Sequence, residues 1–137
     1  MTISTEILEK CILTLEKSYE SIRKTEEGSI DYEMYRDSLV KSFDLTLEQS
    51  GKLLKKRSSR FFASNKAVDT LNFKDIFRNA FKHSLLTEEE LERWFAYRNN
   101  RNNTAHDYGK DFAEETLSLI ESFLLDVKNL KMVIENE

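Results

Sequence analysis

The stretch TEILEKCILTLEKSYESIRKT, residues 5 to 25, sets Ile7, Leu8, Cys11, Ile12, Leu15, Tyr19 and Ile22 at steps of three and four. Such steps fall on one face of a helix that turns about 100° per residue. Apart from Leu13, charged and polar residues fill the remaining positions, so the stretch predicts an amphipathic helix with Ser4 or Thr5 available as its cap. Glu26-Glu27-Gly28 ends it. A helix with one apolar stripe must bury that stripe against another element, so the pattern of the rest of the chain decides the fold class.

That pattern repeats. A second, longer helix begins near Ser29 or Asp31 and carries Tyr32, Tyr35, Leu39, Phe43, Leu47, Leu53 and Leu54, extending to about Lys56 through the interior Gly51. A glycine there costs about 1 kcal/mol relative to alanine, which close helix packing would offset. Residues 57 to 72 are less regular and read as a loop or short turn anchored by Phe61 and Phe62. A third helix follows Asn72, with Phe73, Ile76, Phe77, Ala80 and Phe81 as one stripe. Thr87 and Glu90 form a capping box that starts a fourth, running through Leu91, Trp94 and Phe95. The last helix, from about Asp111 to Val133, presents Phe112, Leu117, Ile120, Leu124, Val127 and Leu130. With no proline and only three glycines in 137 residues, the expectation is an all-α, four- to five-helix up-and-down bundle forming one domain over residues 1 to 137. A domain near that length buries roughly 68–70% of its unfolded surface, enough for one core.

Cys11 is the single cysteine and lies in an apolar pattern, so it is expected to be a buried thiol and can form neither an internal disulfide nor a cysteine metal site. The N-terminal MTISTEILEK lacks a basic region before an apolar core, and no apolar run approaches the roughly 18 residues that span a membrane. A cytoplasmic setting without a membrane partner is expected. The net charge of -4 argues against coating nucleic acid by bulk attraction. Locally the balance reverses: KLLKKRSSR, residues 52 to 60, contains Lys52, Lys55, Lys56, Arg57 and Arg60 and no acid. The run reads either as a solvated helix end complementing the dipole or as a contact for phosphates or an acidic partner.

Residues 97 to 109, YRNNRNNTAHDYG, hold two arginines, four asparagines, a histidine and two tyrosines between two apolar stripes. Asparagine competes for backbone groups inside helices, so this density predicts a helix interruption or a closely satisfied polar cluster. On an unbroken helix Arg101 and His106 would lie about 140° apart, so their convergence needs a local distortion or a second copy of the chain. An arginine presents a planar, permanently charged fork to phosphate oxygens, and a histidine can take or give a proton near neutral pH. Together they suit phosphate chemistry at a ribose 2′-hydroxyl. The same residues also suit a hydrogen-bonded helix junction. His83 and His106 are the only histidines and no carboxylate cluster with ligand spacing accompanies them, so neither a metal nor another cofactor is expected. His83, beside Lys82 at a helix end, reads as a surface residue complementing the dipole.

Arg101, His106 and Tyr108 together match the R-x-x-x-x-H-x-Y motif, and the chain thereby resembles the HEPN proteins encoded beside minimal nucleotidyltransferases, the branch often labelled nucleotidyltransferase substrate-binding protein. YRDSLVKSFDLTLEQSGKLLKK (Tyr35 to Lys56) is similar to that family's second helix, and FKDIFRNAFKHSLLTEEELERWFAYRNNRNNTAH (Phe73 to His106) to the stretch leading into its motif. The similarity covers roughly residues 5 to 130, with Asp44 standing where the family pattern suggests glutamate. The resemblance implies a homodimer whose two motifs share a cleft, and a cognate minimal nucleotidyltransferase as partner. It also implies a metal-independent endoribonuclease in which Arg101 steadies the scissile phosphate, His106 serves in acid–base attack and Asn102 orients them, while Tyr108 accepts AMP from the partner. Arg98 is a second cation beside Arg101, and Arg98, Lys55, Lys56 and Arg57 are candidate contacts to RNA or phosphate.

Three readings follow. The first is a ribonuclease toxin silenced by its nucleotidyltransferase, and the second a non-catalytic subunit that binds nucleotide or substrate. The third is a helical interaction protein whose dimer face includes Trp94, Phe95 and Tyr97.

Overall fold

In the computed structural model the described residues are 3–104 and 110–136, with side chains described for 3–101 and 114–136. Six α-helices follow one another: α1 (Glu6–Arg23), α2 (Ile30–Ser58), α3 (Asn65–Asp69), α4 (Phe73–Lys82), α5 (Glu88–Thr104) and α6 (Lys110–Glu135). Among the described residues there is no strand, so the all-α expectation holds. None of these helices is long and apolar enough to cross a membrane. The long α2 is the central stave, touching α1, α4, α5 and α6.

Leu8, Ile12, Leu15 and Ile22 of α1 are buried against α2, as their spacing requires, but Ile7 is exposed on the flank of the stripe. Thr5 takes the N-cap position of α1 without a capping bond from its side chain. Its hydroxyl instead donates to Glu135 Oε2 at 2.7 Å, tying the start of α1 to the end of α6. Gly28 then turns the chain at φ +91, a left-handed value that glycine adopts without the penalty of a Cβ. Ser29 caps α2 by accepting from the Tyr32 amide at 3.1 Å.

Two segments differ from the sequence expectation. Residues 57 to 72 are not one loop: α2 runs to Ser58, a 3-10 turn covers Ser59–Phe61, and the one-turn α3 is capped by Ser64, which accepts from the Ala67 amide. Cys11 is only partly covered, in a shallow groove with Ile7, Lys10, Thr14, Ser42 and Leu45, and burial pushes its thiol pKa up.

Both later caps close reciprocally. Asn72 accepts from the Asp75 amide at 2.8 Å while Asp75 reaches back, and Thr87 and Glu90 exchange bonds of 3.0 and 3.1 Å as their spacing predicts. Phe81, part of the α4 stripe in sequence, is 41% exposed at the end of its helix. The core closes around Phe43 of α2, Phe77 of α4, Trp94 and Tyr97 of α5 and Phe123 of α6. Their rings meet mostly edge to face, with Phe43 and Phe123 centroids 4.7 Å apart and Tyr97 and Phe123 5.0 Å apart, the arrangement aromatic quadrupoles favour. Trp94 and Tyr97 are therefore interior residues of this chain, not an aromatic face open to a second copy.

Candidate functional site

The site is assembled where the second half of α2, the start of α4 and the end of α5 meet. Gly51 makes the approach possible: a Cβ built there would lie 3.1 Å from Phe73 Cδ2, so the Phe73 ring rests against bare backbone. That contact is the close packing expected to compensate an interior glycine. Phe73 stacks on Phe77 at 4.4 Å, and the Arg98 guanidinium lies 5.2 Å above the Phe73 ring as a cation–π pair. A residue absent in side chain on α2 thus fixes where a cation of α5 sits.

Around this contact lies an open groove of about 390 Å³. Glu48, Lys52 and Lys55 of α2 form one wall, Arg98 and Arg101 of α5 the other, and Leu71, Phe73 and Ile76 an apolar floor. The spacing of Glu48, Lys52 and Lys55 puts them on one face of α2. Arg101 approaches Glu48 Oε2 at 3.9 Å, with side chains 31% and 66% exposed, so the pair is weak and an anion can compete for the guanidinium. Half-burial raises the Asp44 carboxyl pKa, opposed by Arg101 nearby, and burial followed by Arg101 lowers that of Arg98. Arg98 is thus held partly out of water beside Arg101, with Glu48 offsetting part of the repulsion.

Lys52 and Lys55 also line a second groove, of about 350 Å³, between α2 and α3, together with Lys56, Ser59, Asn65, Val68 and Asp69. Lys55 lies 3.5 Å from Asp69. Arg57, expected among the phosphate contacts, is not on this surface. It is buried with Nε 3.3 Å from the Val133 carbonyl and a terminal nitrogen 3.5 Å from that of Asn136, holding the carbonyl end of α6. Its position in the run put it one residue off the exposed face of α2.

Behind the groove, α5 is locked to α6. Asp126, 2% exposed, accepts from Arg93 Nε at 2.8 Å, Arg93 Nη2 at 2.9 Å and the Tyr97 hydroxyl at 2.5 Å. Burial and the bond to Asp126 push the Tyr97 pKa well above the usual tyrosine range. One turn on, buried Asn100 donates to Thr116 Oγ1 at 3.0 Å, joining the helices on either side of residues 105–109. Asn100 thus takes part in a buried polar contact between α5 and α6. The backbone of Asn102 belongs to α5, but its side chain, together with His106 and Tyr108, lies outside the described residues. His83 caps α4, its Nδ1 3.0 Å from the Asn79 carbonyl oxygen and its ring stacked 3.8 Å from Phe61. Among the described residues no His, Cys, Asp and Glu side chains gather as a metal-binding group.

Lys52, named within the basic run, joins the groove together with Glu48 and Phe73, which the sequence does not single out as site residues. The periodicity of α2 carries the signal for Glu48, and only the tertiary contact at Gly51 brings in Phe73.

Fold and groove together define an all-helical bundle that gathers cations from two helices above an apolar floor. Residues 4–136 match the family described as nucleotidyltransferase substrate binding protein like, and the chain belongs to that family. The probable ribonuclease HepT of Haemophilus influenzae is 24% identical over 128 residues, covering 90% of this chain and 86% of that protein. A solved Haemophilus influenzae structure, described as the fold of a substrate binding domain of a nucleotidyltransferase, superposes with a TM-score of 0.81 at 24% identity, over 95% of this chain and 98% of that one. A Thermus thermophilus crystal structure gives 0.74 at 20% identity, over 93% and 98%. At these identities the likeness establishes the fold.

Proposed function

We propose that the protein is the toxin of a two-component pair, a metal-independent HEPN-type endoribonuclease silenced by a cognate minimal nucleotidyltransferase. The observation that carries this reading is the convergence of Lys52 and Lys55 of α2 with Arg98 and Arg101 of α5 on one groove, at the end of the helix that leads into His106 and Tyr108. The name of the relative, probable ribonuclease HepT, supports it.

In this reading Arg101 and Arg98 hold the scissile phosphodiester and Asn102 orients it. His106 takes the proton of the ribose 2′-hydroxyl as that oxygen attacks phosphorus, so that a 2′-O–P bond forms, the P–O5′ bond breaks and the leaving 5′-oxygen takes up a proton from water. A homodimer brings two such sets into a shared cleft. Silencing follows when the nucleotidyltransferase transfers AMP from ATP to the Tyr108 oxygen with release of pyrophosphate, adding negative charge where RNA phosphates must enter.

The test is growth of cells expressing wild type or His106→Ala, each with and without the neighbouring nucleotidyltransferase, with RNA integrity read on a gel. Arrest and RNA cleavage that vanish in His106→Ala and in the presence of the partner are expected. Normal growth with intact RNA at good expression defeats the catalytic reading. A strict monomer by light scattering defeats the shared cleft, and adenylylation of Tyr108→Phe as efficient as wild type moves the modification elsewhere.

A second reading, a non-catalytic subunit that binds nucleotide and completes a nucleotidyltransferase complex, has a specific basis in the groove with the Phe73 ring in its floor and in the family's description. ATP binding by calorimetry with no RNA cleavage is its signature.

A further inference from the structure

The groove at Arg101 and the groove between α2 and α3 are lined in common by Lys52 and Lys55. They therefore form one track that starts at Arg98 and Arg101 and ends at Lys56 and Asn65. The two ends differ in chemistry. Arginine forks and an aromatic ring are found at the α5 end, whereas the α3 end offers lysine ammoniums, the side chains of Ser59 and Asn65, and the apolar Val68. Lysine is a point charge on a flexible stem, suited to phosphate oxygens in any orientation and without sequence preference. Lys52 and Lys56 are exposed and stand one helical turn apart, about 6 Å along α2. The opposing carboxylates are Glu48 and Asp69, the first 3.9 Å from Arg101 and the second 3.5 Å from Lys55, all partly exposed pairs of the kind that phosphate competition breaks readily.

We propose that the α2–α3 groove is an outer phosphate-binding subsite for a single-stranded polynucleotide, so that the site takes a strand running along α2 and not an isolated nucleotide. This rests on the ribonuclease reading above and extends it: cleavage chemistry belongs to the Arg101 end, while Lys52, Lys55 and Lys56 hold the neighbouring phosphates. A single strand is favoured over a duplex because the adjoining groove has an apolar floor that includes the partly exposed Leu71 and Phe73, against which unpaired bases can make apolar contact. An acidic protein surface is the competing occupant, and the test separates the two.

The experiment uses the full chain carrying His106→Ala, which leaves RNA intact under the proposed mechanism, and a fluorescent single-stranded RNA of about twelve nucleotides, within the usual site size. Affinity is measured against salt concentration, with and without Lys52→Ser and Lys56→Ser together. Each single-strand phosphate contact contributes about 0.7 to the slope of log affinity on log salt, so the double substitution is expected to lower the slope by about 1.4. It should weaken binding at low salt on the order of ten-fold. An RNA of two or three nucleotides should bind far more weakly than the longer strand and feel the substitutions less. Bound RNA with an unchanged slope overturns the outer subsite, whether or not the His106-bearing protein cuts RNA. RNA binding unchanged while capture of the nucleotidyltransferase is lost overturns it in favour of a protein dock. A lysine-dependent slope with no cleavage by the wild-type chain supports the subsite and removes only the catalytic reading. No RNA binding by the unsubstituted chain overturns both.

Discussion

Replacing Asp126 by asparagine is the sharpest test of how the site-bearing helix is held. The carboxylate is 2% exposed and accepts three bonds, two from Arg93 and one from Tyr97, across the α5–α6 interface. Asparagine keeps the volume, so no cavity term enters, and its oxygen can still accept one bond. The loss is the charge. Hydrogen bonds to charged groups contribute about 1.5–3 kcal/mol each, but the Arg93 side chain is 44% exposed and recovers water once released, which discounts its share. About 2–3 kcal/mol remains, below the 3–5 kcal/mol for removing one partner of a fully buried pair. For a chain of this length that corresponds to a fall in Tm of roughly 8–12 °C, measured by circular dichroism and checked by urea unfolding. Because Tyr97 shares the network, Asp126→Asn and Tyr97→Phe should couple by about 0.5–3 kcal/mol. A loss below about 1 kcal/mol, or strict additivity of the two, would refute the claim that this carboxylate locks α5 to α6.

The raised Tyr97 pKa gives a pH dependence with a definite sign. Above about pH 10 the unfolded chain releases this proton while the native chain keeps it, so stability falls as pH rises, and Tyr97→Phe should flatten that alkaline loss in pH-dependent urea titrations. Arg57→Ala should cost about 1–2 kcal/mol by freeing the carbonyl end of α6 while leaving the salt dependence of RNA binding unchanged, and an altered slope would place Arg57 among the phosphate contacts after all. Gly51→Leu drives a side chain into Phe73 and should destabilise by about 1–3 kcal/mol, whereas an unchanged melting curve would mean that Phe73 and Arg98 are not held by that contact.

The helices were legible because each long one repeats its stripe over several turns, and the reciprocal Thr87–Glu90 cap was legible because its chemistry is local. The one-turn α3 was not, since five residues complete too little of a period to stand out from a loop. Trp94 and Tyr97 could be read with Phe95 as surface aromatics because polar residues fill most of the rest of α5, but with Leu91 they fall on the face turned to Phe77 and Phe123. Within the basic run, sequence alone could not separate Arg57, which turns inward, from Lys55 and Lys56, which line the grooves, because the difference is set by where α6 ends. The meeting of Lys52 and Lys55 with Arg98 and Arg101 depends on how α2 and α5 lie relative to each other, information that no local pattern contains.

The cations gathered along α2 and α5 also determine how the protein behaves at a charged matrix. The chain has a net charge of -4 and a pI near 5.4, values that by themselves assign it to an anion exchanger at neutral pH. A column senses the face turned toward it, however, and this molecule has a lysine- and arginine-lined face despite its acidic total. It should therefore be retained by heparin as well as by an anion exchanger.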